Sequence, residues 1–147
     1  MITVAATKAK NKFNLRVITP TETKVDEQVE MVIMRTISGD MGVLPGHEDY
    51  LCVLADGILR IIDDGTERKI AVFGGIAEVK GEALTIITDE AFAAEDIDIE
   101  RAEQARQELE RKLREKADDA EILRDQALLR RALMKIEVSS YSSDYGD

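Results

Sequence analysis

Few of the side chains that enzymes use for catalysis are present, and they are not grouped along the chain. The single histidine, His47, has no nucleophile or acidic partner in its own motif, and one histidine cannot form a multi-histidine metal site. The acidic pairs Asp63-Asp64 and Asp118-Asp119 are typical of turns and helix caps. The Gly-x-x-x-x-Gly-Lys-Ser/Thr motif of a P-loop does not occur. The sequence therefore predicts neither catalytic residues nor a metal site.

A second group of polar residues, at the start of a predicted helix, could bind an anion. In the segment Ile97–Ala102, Asp98 is a good N-cap because its carboxylate can accept hydrogen bonds from the amides of the first turn. Arg101 has no such explanation, since a cation in the first turn opposes the helix dipole. The arginine fork suits phosphate oxygens, so Arg101 could form a phosphate-binding face with cations further along the chain. These cations are Arg130, Arg131 and Lys135. The alternative is solvated charge that pairs with glutamates across a helical hairpin.

The segment Ser38–His47, Ser-Gly-Asp-Met-Gly-Val-Leu-Pro-Gly-His, is the most distinctive stretch of the chain. Its glycines and proline exclude a helix, because glycine permits positive φ and proline fixes φ at a single value. We predict a shaped loop between strands, and loops on a rigid scaffold often make functional contacts. The alternative is a pair of tight turns needed only for folding.

The elements that position these residues fall into two halves. From Phe13 to Thr88 short apolar runs alternate with turn residues, which predicts antiparallel strands in a β-sandwich or barrel. The predicted strands are Phe13–Ile18, Val29–Arg35, Tyr50–Leu54, Ile58–Ile62, Lys69–Phe73, Ile76–Val79 and Leu84–Ile87. Between Glu95 and Gly146 glycine and proline are absent and helix formers dominate, which predicts an antiparallel α-helical hairpin.

The helical half carries two apolar stripes with a break at Lys116–Asp119. The first stripe consists of Ala102, Ala105, Leu109 and Leu113, and the second of Ile122, Leu129, Leu133 and Ile136. We therefore expect a β-sandwich domain over residues 1–91, a helical hairpin over 92–138 and a disordered tail over 139–147.

The net charge and the composition exclude some classes of binding partner. The formal net charge of −10 argues against nucleic acid and against direct adhesion to anionic lipid. One cysteine cannot form an internal disulfide, and no apolar run is long enough to span a membrane. These features predict an intracellular protein that is soluble or peripheral to a larger assembly.

Several segments, in this order, resemble the epsilon subunit of F-type ATP synthases. They are the loop Gly39–His47, the strand-Gly-Gly-strand unit Val72–Val79, the run Leu84–Thr88 and the helix opening Ile97–Ala102. The resemblance extends from Phe13 to Val138. It implies a non-catalytic subunit of the central stalk, whose sandwich binds the gamma subunit and the membrane c-ring. It also implies a hairpin that either folds onto the sandwich or extends along gamma towards the alpha and beta subunits and inhibits ATP hydrolysis.

The resemblance also assigns contact residues. Gly42–His47 match the Gly-x-x-Pro-Gly-His loop near gamma, and Asp40, with Met41 beside it, stands where the family has an acidic residue facing polar c-ring loops. The implied contact residues are Asp40, Met41, Gly42, Pro45, Gly46 and His47. Gly74-Gly75 matches the double glycine at which a strand turns the corner of the sandwich.

Some members of this family bind ATP on the folded hairpin. Asp98, Arg101 and Arg131 match their pattern, but Lys135 replaces a second arginine and Phe92 replaces an acidic residue. The resemblance therefore implies a site of Asp98, Arg101, Arg131 and Lys135 that binds ATP weakly or not at all. We expect no other cofactor.

We predict a rotor subunit of a proton- or sodium-driven ATP synthase, peripheral to the cytoplasmic face of the bacterial cell membrane and not inserted into it. The coupling ion is chosen elsewhere in such a complex. Two alternatives remain open. One is a stand-alone ATP-sensing module without affinity for gamma, and the other is a helical-hairpin adaptor unconnected to energy conversion.

Overall fold

A computed structural model describes residues 11–115 and 118–145, the last five by their backbone alone. This part of the chain divides into two compact units. The first contains the residues up to Ala91 except Lys69–Ala71, and the second contains those three residues and the chain from Phe92 onward.

The strands form a β-sandwich, as predicted, and their residues belong to the first unit except for Lys69–Ala71 and Phe92. The strands are β1 (Phe13–Ile18), β2 (Thr23–Val29), β3 (Met31–Thr36), β4 (Gly39–Val43), β5 (Tyr50–Asp63), β6 (Thr66–Lys80), β7 (Ala83–Ile87) and β8 (Ala91–Phe92). They are hydrogen-bonded in the order β2-β1-β7-β6-β5-β3-β4, and β8 pairs with β6. Strands β2 and β4 therefore lie at the two ends of this sequence of pairs.

The core of the sandwich is aliphatic, which agrees with its strand patterns. Its most completely buried side chains are Leu15, Val17, Val29, Val32, Met34, Val43, Leu84 and Ile86. Burying each such side chain contributes about 1.5–3 kcal/mol. Alternate residues of β1 and β7 point into this core, as the period of two requires.

Two pairs of predicted strands are single long strands. Tyr50–Leu54 and Ile58–Ile62 are both parts of β5, and Lys69–Phe73 and Ile76–Val79 are both parts of β6. At Gly74 and Gly75 the chain has φ values of 73° and 119°, which only glycine adopts readily. The turn-forming residues bend these strands without ending them.

Three other features of the sheet differ from the prediction. Strand β2 is absent from the predicted set because only Val25 and Val29 of its residues are buried, so it lacks an apolar pattern. Strand β4 lies within the segment predicted as a loop. Strands β1 and β7 are parallel, with Leu15 opposite Leu84, so the expectation of purely antiparallel pairing was wrong. Regular spacing describes how consecutive strands pair, and β1 and β7 are not consecutive.

The second unit contains a 3-10 turn and two helices that pack against each other, which confirms the predicted hairpin. The turn is Ala94–Asp96, α1 is Ile99–Arg114 and α2 is Asp119–Tyr145. Asp98 caps α1 through its Oδ1, which accepts the Arg101 amide at 3.2 Å. Asp118 accepts the Glu121 amide at 2.8 Å at the start of α2. Both caps follow from the preference for aspartate at this position.

Two predictions about the helices were wrong. Of the predicted α1 stripe, Ala102 and Leu109 are buried, but Ala105 is exposed. Among the described side chains of α2, Asp125, Ala132 and Val138 are buried, whereas Ile122, Leu129 and Ile136 of the predicted stripe are only half-buried and Leu133 is exposed. The helix also continues to Tyr145, so the backbone at 139–145 is not the expected disordered tail. Nothing in the sequence breaks the helix before Gly146, and residues 146 and 147 lie outside the described chain.

Candidate functional site

The segment Ser38–His47 is half strand and half turn. Asp40, Met41 and Gly42 lie on β4, which pairs antiparallel with β3, so their predicted place in a loop was wrong. The two-residue connection is closed by Thr36, whose hydroxyl donates to the Gly39 carbonyl at 2.7 Å. A short hairpin needs few turn residues, and the remaining residues of the glycine-rich run extend as a strand.

The second half of the segment is a type II turn. The His47 amide donates to the Leu44 carbonyl at 3.2 Å, with Pro45 and Gly46 at the two central positions. Gly46 has φ of 82°, the value this turn requires there. His47 Nδ1 lies 2.7 Å from the Glu48 carbonyl oxygen, which can only accept, so Nδ1 carries a proton. The sequence thus dictates the shape of this turn residue by residue.

The Asp40 carboxylate is paired across the hairpin. Arg35 on β3 lies directly opposite Asp40. Its Nε donates to Oδ1 at 2.5 Å, and a second guanidinium nitrogen donates to Oδ2 at 3.4 Å. The hydrogen bond to Asp40, and then the charge of Asp40, raise the pKa of Arg35 above its usual value. The sequence alone does not single out Arg35, although a two-residue connection places these positions in a cross-strand pair.

Exposed apolar side chains lie beside this hairpin. Ile37 is 70% exposed, and its amide donates to the Val53 carbonyl at 3.1 Å. Leu51 and Val53 on β5 are 66% and 51% exposed. Large apolar side chains that are grouped on a surface often belong to a binding site, whereas single exposed apolar side chains are common on any protein. The alternation of β5 carries the signal, since Leu54 is buried and Val53 faces outward.

The predicted anion site is partly used by the hairpin itself. Asp98 employs one carboxylate oxygen in the cap of α1, and the Arg101 side chain is exposed. The Lys135 ammonium lies 4.3 Å from the centre of the Phe92 ring, a cation–π geometry. Phe92 and Lys135 are the two positions that depart from the ATP-binding pattern, and the structure brings them together.

A lysine partly offsets the charge of an acidic cluster in the sandwich. Carboxylate oxygens of Glu30, Asp63 and Asp64 lie within 4.8 Å of one another. Lys12 Nζ lies 3.1 Å from Asp63 Oδ1 and 3.4 Å from Asp64 Oδ2. The hydrogen bond to Asp63 is the main reason that the pKa of Lys12 is raised. The cluster is a turn in which one lysine offsets part of the charge of three carboxylates, and it agrees with the predicted turn at Asp63-Asp64.

Comparison with known proteins matches both units. The β-sandwich domain of the ATP synthase delta/epsilon chain matches residues 12–94, and the long α-helix domain of that chain matches residues 95–140. The epsilon chain of Bacillus velezensis is 38% identical over 125 residues, covering 85% of this chain and 95% of the relative. The sodium-ion-specific epsilon chain of Propionigenium modestum is 37% identical, covering 86% and 93%.

Solved structures agree. A chain of the Euglena gracilis mitochondrial ATP synthase, in a structure of OSCP, F1 and c-ring, superposes with a TM-score of 0.70 at 30% identity, covering 90% of this chain and 81% of that one. A chain of the Tetrahymena thermophila central stalk and c-ring shares the fold, with a TM-score of 0.52 at 13% identity.

Fold and comparisons together define a class: a non-catalytic stalk subunit of a rotary, F-type ATP synthase. No helix among the described residues is long and apolar enough to cross a membrane. The chain belongs to the ATP synthase delta/epsilon chain family, and its relatives are epsilon chains. The resemblance read from the sequence is confirmed.

Proposed function

We propose that this subunit joins the gamma subunit to the c-ring through its sandwich and restrains ATP hydrolysis through its hairpin. The observation that carries the first part is the β3–β4 hairpin, where a half-exposed carboxylate, Asp40, lies near the exposed apolar side chains of Ile37, Leu51 and Val53. An apolar patch with a charged group beside it is typical of a protein interface. In the complex the subunit is peripheral, at the cytoplasmic face of the bacterial cell membrane.

Within this surface the residues divide by partner. Asp40, with Met41 beside it on β4, faces the polar loops of the c-ring, and Gly42 begins the segment that faces gamma. The type II turn of Pro45 and Gly46, followed by His47, contacts gamma. The turn is held by backbone geometry, so it offers gamma a fixed shape at low entropic cost. The site residues Asp40, Met41, Gly42, Pro45, Gly46 and His47 thus belong to one continuous segment.

The hairpin provides the regulatory part. Leu123, Leu128 and Leu133 of α2 are exposed at 67%, 44% and 44%, although they do not share one face of the helix. A helix that is apolar on several sides can pack in more than one way, so two arrangements of the hairpin can have similar free energies. In its extended arrangement the hairpin contacts the alpha and beta subunits.

ATP is at most a weak regulatory ligand of the hairpin. Asp98, Arg101, Arg131 and Lys135 supply a partial phosphate and ribose site. Phe92 provides no carboxylate, and Lys135 is already engaged with its ring. A nucleotide would have to replace this contact. The coupling ion is selected elsewhere in the complex, and in agreement with this the relatives include both a sodium-ion-specific epsilon chain and chains without that designation at nearly equal identity.

One binding experiment tests the proposal. The full chain should be captured by the gamma subunit, and by gamma bound to the c-ring more tightly than by gamma alone. Asp40→Asn keeps the size of the side chain and removes its charge, so it should weaken capture by the gamma–c-ring complex and leave capture by gamma unchanged. Equal loss with both partners, or with neither, contradicts the assignment of Asp40 to the c-ring.

A further inference from the structure

Residues on three neighbouring strands hold the Asp40 carboxylate. Asp40 on β4 faces Arg35 on β3, which grips both carboxylate oxygens. Gly57 on β5 is buried directly beneath the stem of Arg35. A Cβ added at Gly57 would overlap the Arg35 Cβ and lie 2.8 Å from its Cγ. Strands β5, β3 and β4 are consecutive neighbours in the sheet, so the three residues form one row.

Gly57 is required here for space and not for backbone conformation. Its φ is not among the positive values that characterise glycines elsewhere in the described chain. The pairing of β3 with β5 shifts register between Ile33 and Thr36, and Arg35 lies at this irregularity. A small cavity there is lined by Met34, Arg35, Leu54, Gly57 and Leu59. The stem of Arg35 therefore packs closely over Gly57, where any larger residue would overlap it, while its guanidinium reaches Asp40 at the surface.

We propose that Arg35, seated on Gly57, is a positioning residue that fixes the Asp40 carboxylate for a hydrogen-bond-donating, cationic loop of the c-ring. This inference rests on the proposed function, which assigns Asp40 to that contact. A carboxylate offers about four lone-pair sites, and Arg35 occupies two of them. The remaining sites are available to a second donor. Because Arg35 orders the side chain in the unbound subunit, less rotamer entropy is lost when the partner arrives.

The pair also sets how binding responds to salt. Asp40 with Arg35 is electrically neutral as a unit, so long-range attraction to a cationic loop is small and the contact depends on short hydrogen bonds. Without Arg35 the carboxylate has an uncompensated charge, which attracts cations over the Debye length of about 10 Å at 0.1 M salt. Removal of Arg35 should weaken binding because the carboxylate is no longer positioned, and it should make the remaining binding more salt-dependent because the free charge attracts the loop at long range. A residue that merely stabilised the fold would not change the salt dependence.

The test measures surface plasmon resonance of the full chain on immobilised ATP synthase depleted of its epsilon subunit, at low and high salt. The variants are Arg35→Ala, Gly57→Ala, Asp40→Asn and the double variant Arg35→Ala/Asp40→Asn. Arg68→Ala is the matched control, because Arg68 forms a similarly exposed ion pair with Glu27 elsewhere in the sandwich. Melting temperatures are recorded for every variant. If Gly57→Ala does not fold, Arg35→Ala tests the same claim.

We expect Arg35→Ala and Gly57→Ala to weaken binding by about ten- to a hundredfold, the loss typical of one hydrogen-bonded charged group. The double variant should bind no more weakly than Asp40→Asn, because both residues act through one contact. Arg68→Ala should bind as the unmodified chain does. Additive losses, or a loss for Asp40→Asn alone, would overturn the positioning role while the c-ring contact stands. Unchanged binding by Asp40→Asn would overturn both.

Discussion

At the residue scale, the sandwich requires glycine where a side chain would overlap the neighbouring strand. Gly75 lies where β7 approaches β6 so closely that an added Cβ would overlap the Ile87 carbonyl and lie 3.0 Å from the Thr88 Cα. Its φ of 119° is also unfavourable for any other residue. The opposing backbone cannot move without breaking the pairing of Ile76 with Ile87. The close approach of β7 and the positive φ therefore both require glycine at position 75.

We expect Gly75→Ala to lower the free energy of unfolding by about 3 kcal/mol or more, because it adds a backbone overlap to the cost of positive φ. Gly81→Ala is the control, since Gly81 also has positive φ, 61°, but an added Cβ meets nothing within 4 Å. That variant should lose only about 1 kcal/mol. Urea unfolding of both full-length variants measures the difference. Equal losses would show that backbone conformation alone accounts for the effect.

Phe92 and Lys135 account for the expected failure to bind ATP. By the family resemblance, each stands where ATP-binding members have a residue that could hydrogen-bond a nucleotide, and together the two form a cation–π contact. We predict a dissociation constant for ATP above about 1 mM for the unmodified chain. The double substitution Phe92→Glu/Lys135→Arg should tighten binding at least about tenfold, because each restores a charged hydrogen bond. Isothermal titration calorimetry of the full chains measures the dissociation constant for ATP. The control is the double variant with Arg101→Ala added. Micromolar binding by the unmodified chain would contradict this account.

At the element scale, α1 carries its own electrostatic support. Arg106 donates to Glu103 at 2.9 Å and to Glu110 at 3.1 Å, and Arg111 donates to Glu108 and Glu115, each at 2.7 Å. All four partners lie three or four residues away on the same helix, which is the spacing of neighbours on a helical surface. The hydrogen bond and charge of Arg111 lower the pKa of Glu108 below its usual value.

The lowered pKa of Glu108 predicts that α1 is more stable at neutral pH than at acidic pH. A carboxyl whose pKa is lowered in the helix stabilises the helix above the pKa of the unfolded chain, and the stabilisation is lost as the pH falls through the lowered value. A peptide spanning residues 98–115 should therefore be partly helical at pH 7 and less helical at pH 2. Circular dichroism at 222 nm in low salt measures this. The peptide with Arg106→Gln and Arg111→Gln should show a smaller pH response, and an equal response would exclude these ion pairs as its cause.

Comparison of the predicted with the observed elements shows which features of the fold local sequence patterns can predict. Strand β1, the sandwich, both helix caps and the hairpin follow from local rules of alternation, turn chemistry and capping. Strand β2 and the partnership of Arg35 with Asp40 do not, because they depend on which strands become neighbours. The buried face of α2 was misassigned since that helix is apolar on several sides, so periodicity alone cannot select the packed face. The Gly39–Val43 strand was hidden because glycine and aspartate are poor strand formers that pairing with β3 overrides.

At the scale of the whole molecule, the hairpin is expected to be separable from the coupling function. A chain truncated after Ala94 retains every strand of the sandwich, including β8. In the assembled enzyme this truncation should raise the rate of ATP hydrolysis and leave synthesis intact, because only the inhibitory arrangement is lost. Measurements on membrane vesicles compare it with the full chain and with the full chain carrying Arg68→Ala. Hydrolysis that does not respond to truncation contradicts a regulatory hairpin.

The parallel pairing of β1 with β7 has a consequence for synthesis on the ribosome. Asn14–Ile18 hydrogen-bond to Ala83–Ile87, so the earliest strand of the sandwich lies between β2 and almost the last strand to be made. During translation β1 and β2 can form a hairpin, but one edge of β1 stays open until β7 has left the exit tunnel. An open strand edge is a template for mispairing with other nascent chains. The sandwich can close only after Ile87 has emerged, so the nascent chain depends most on chaperone protection before that point.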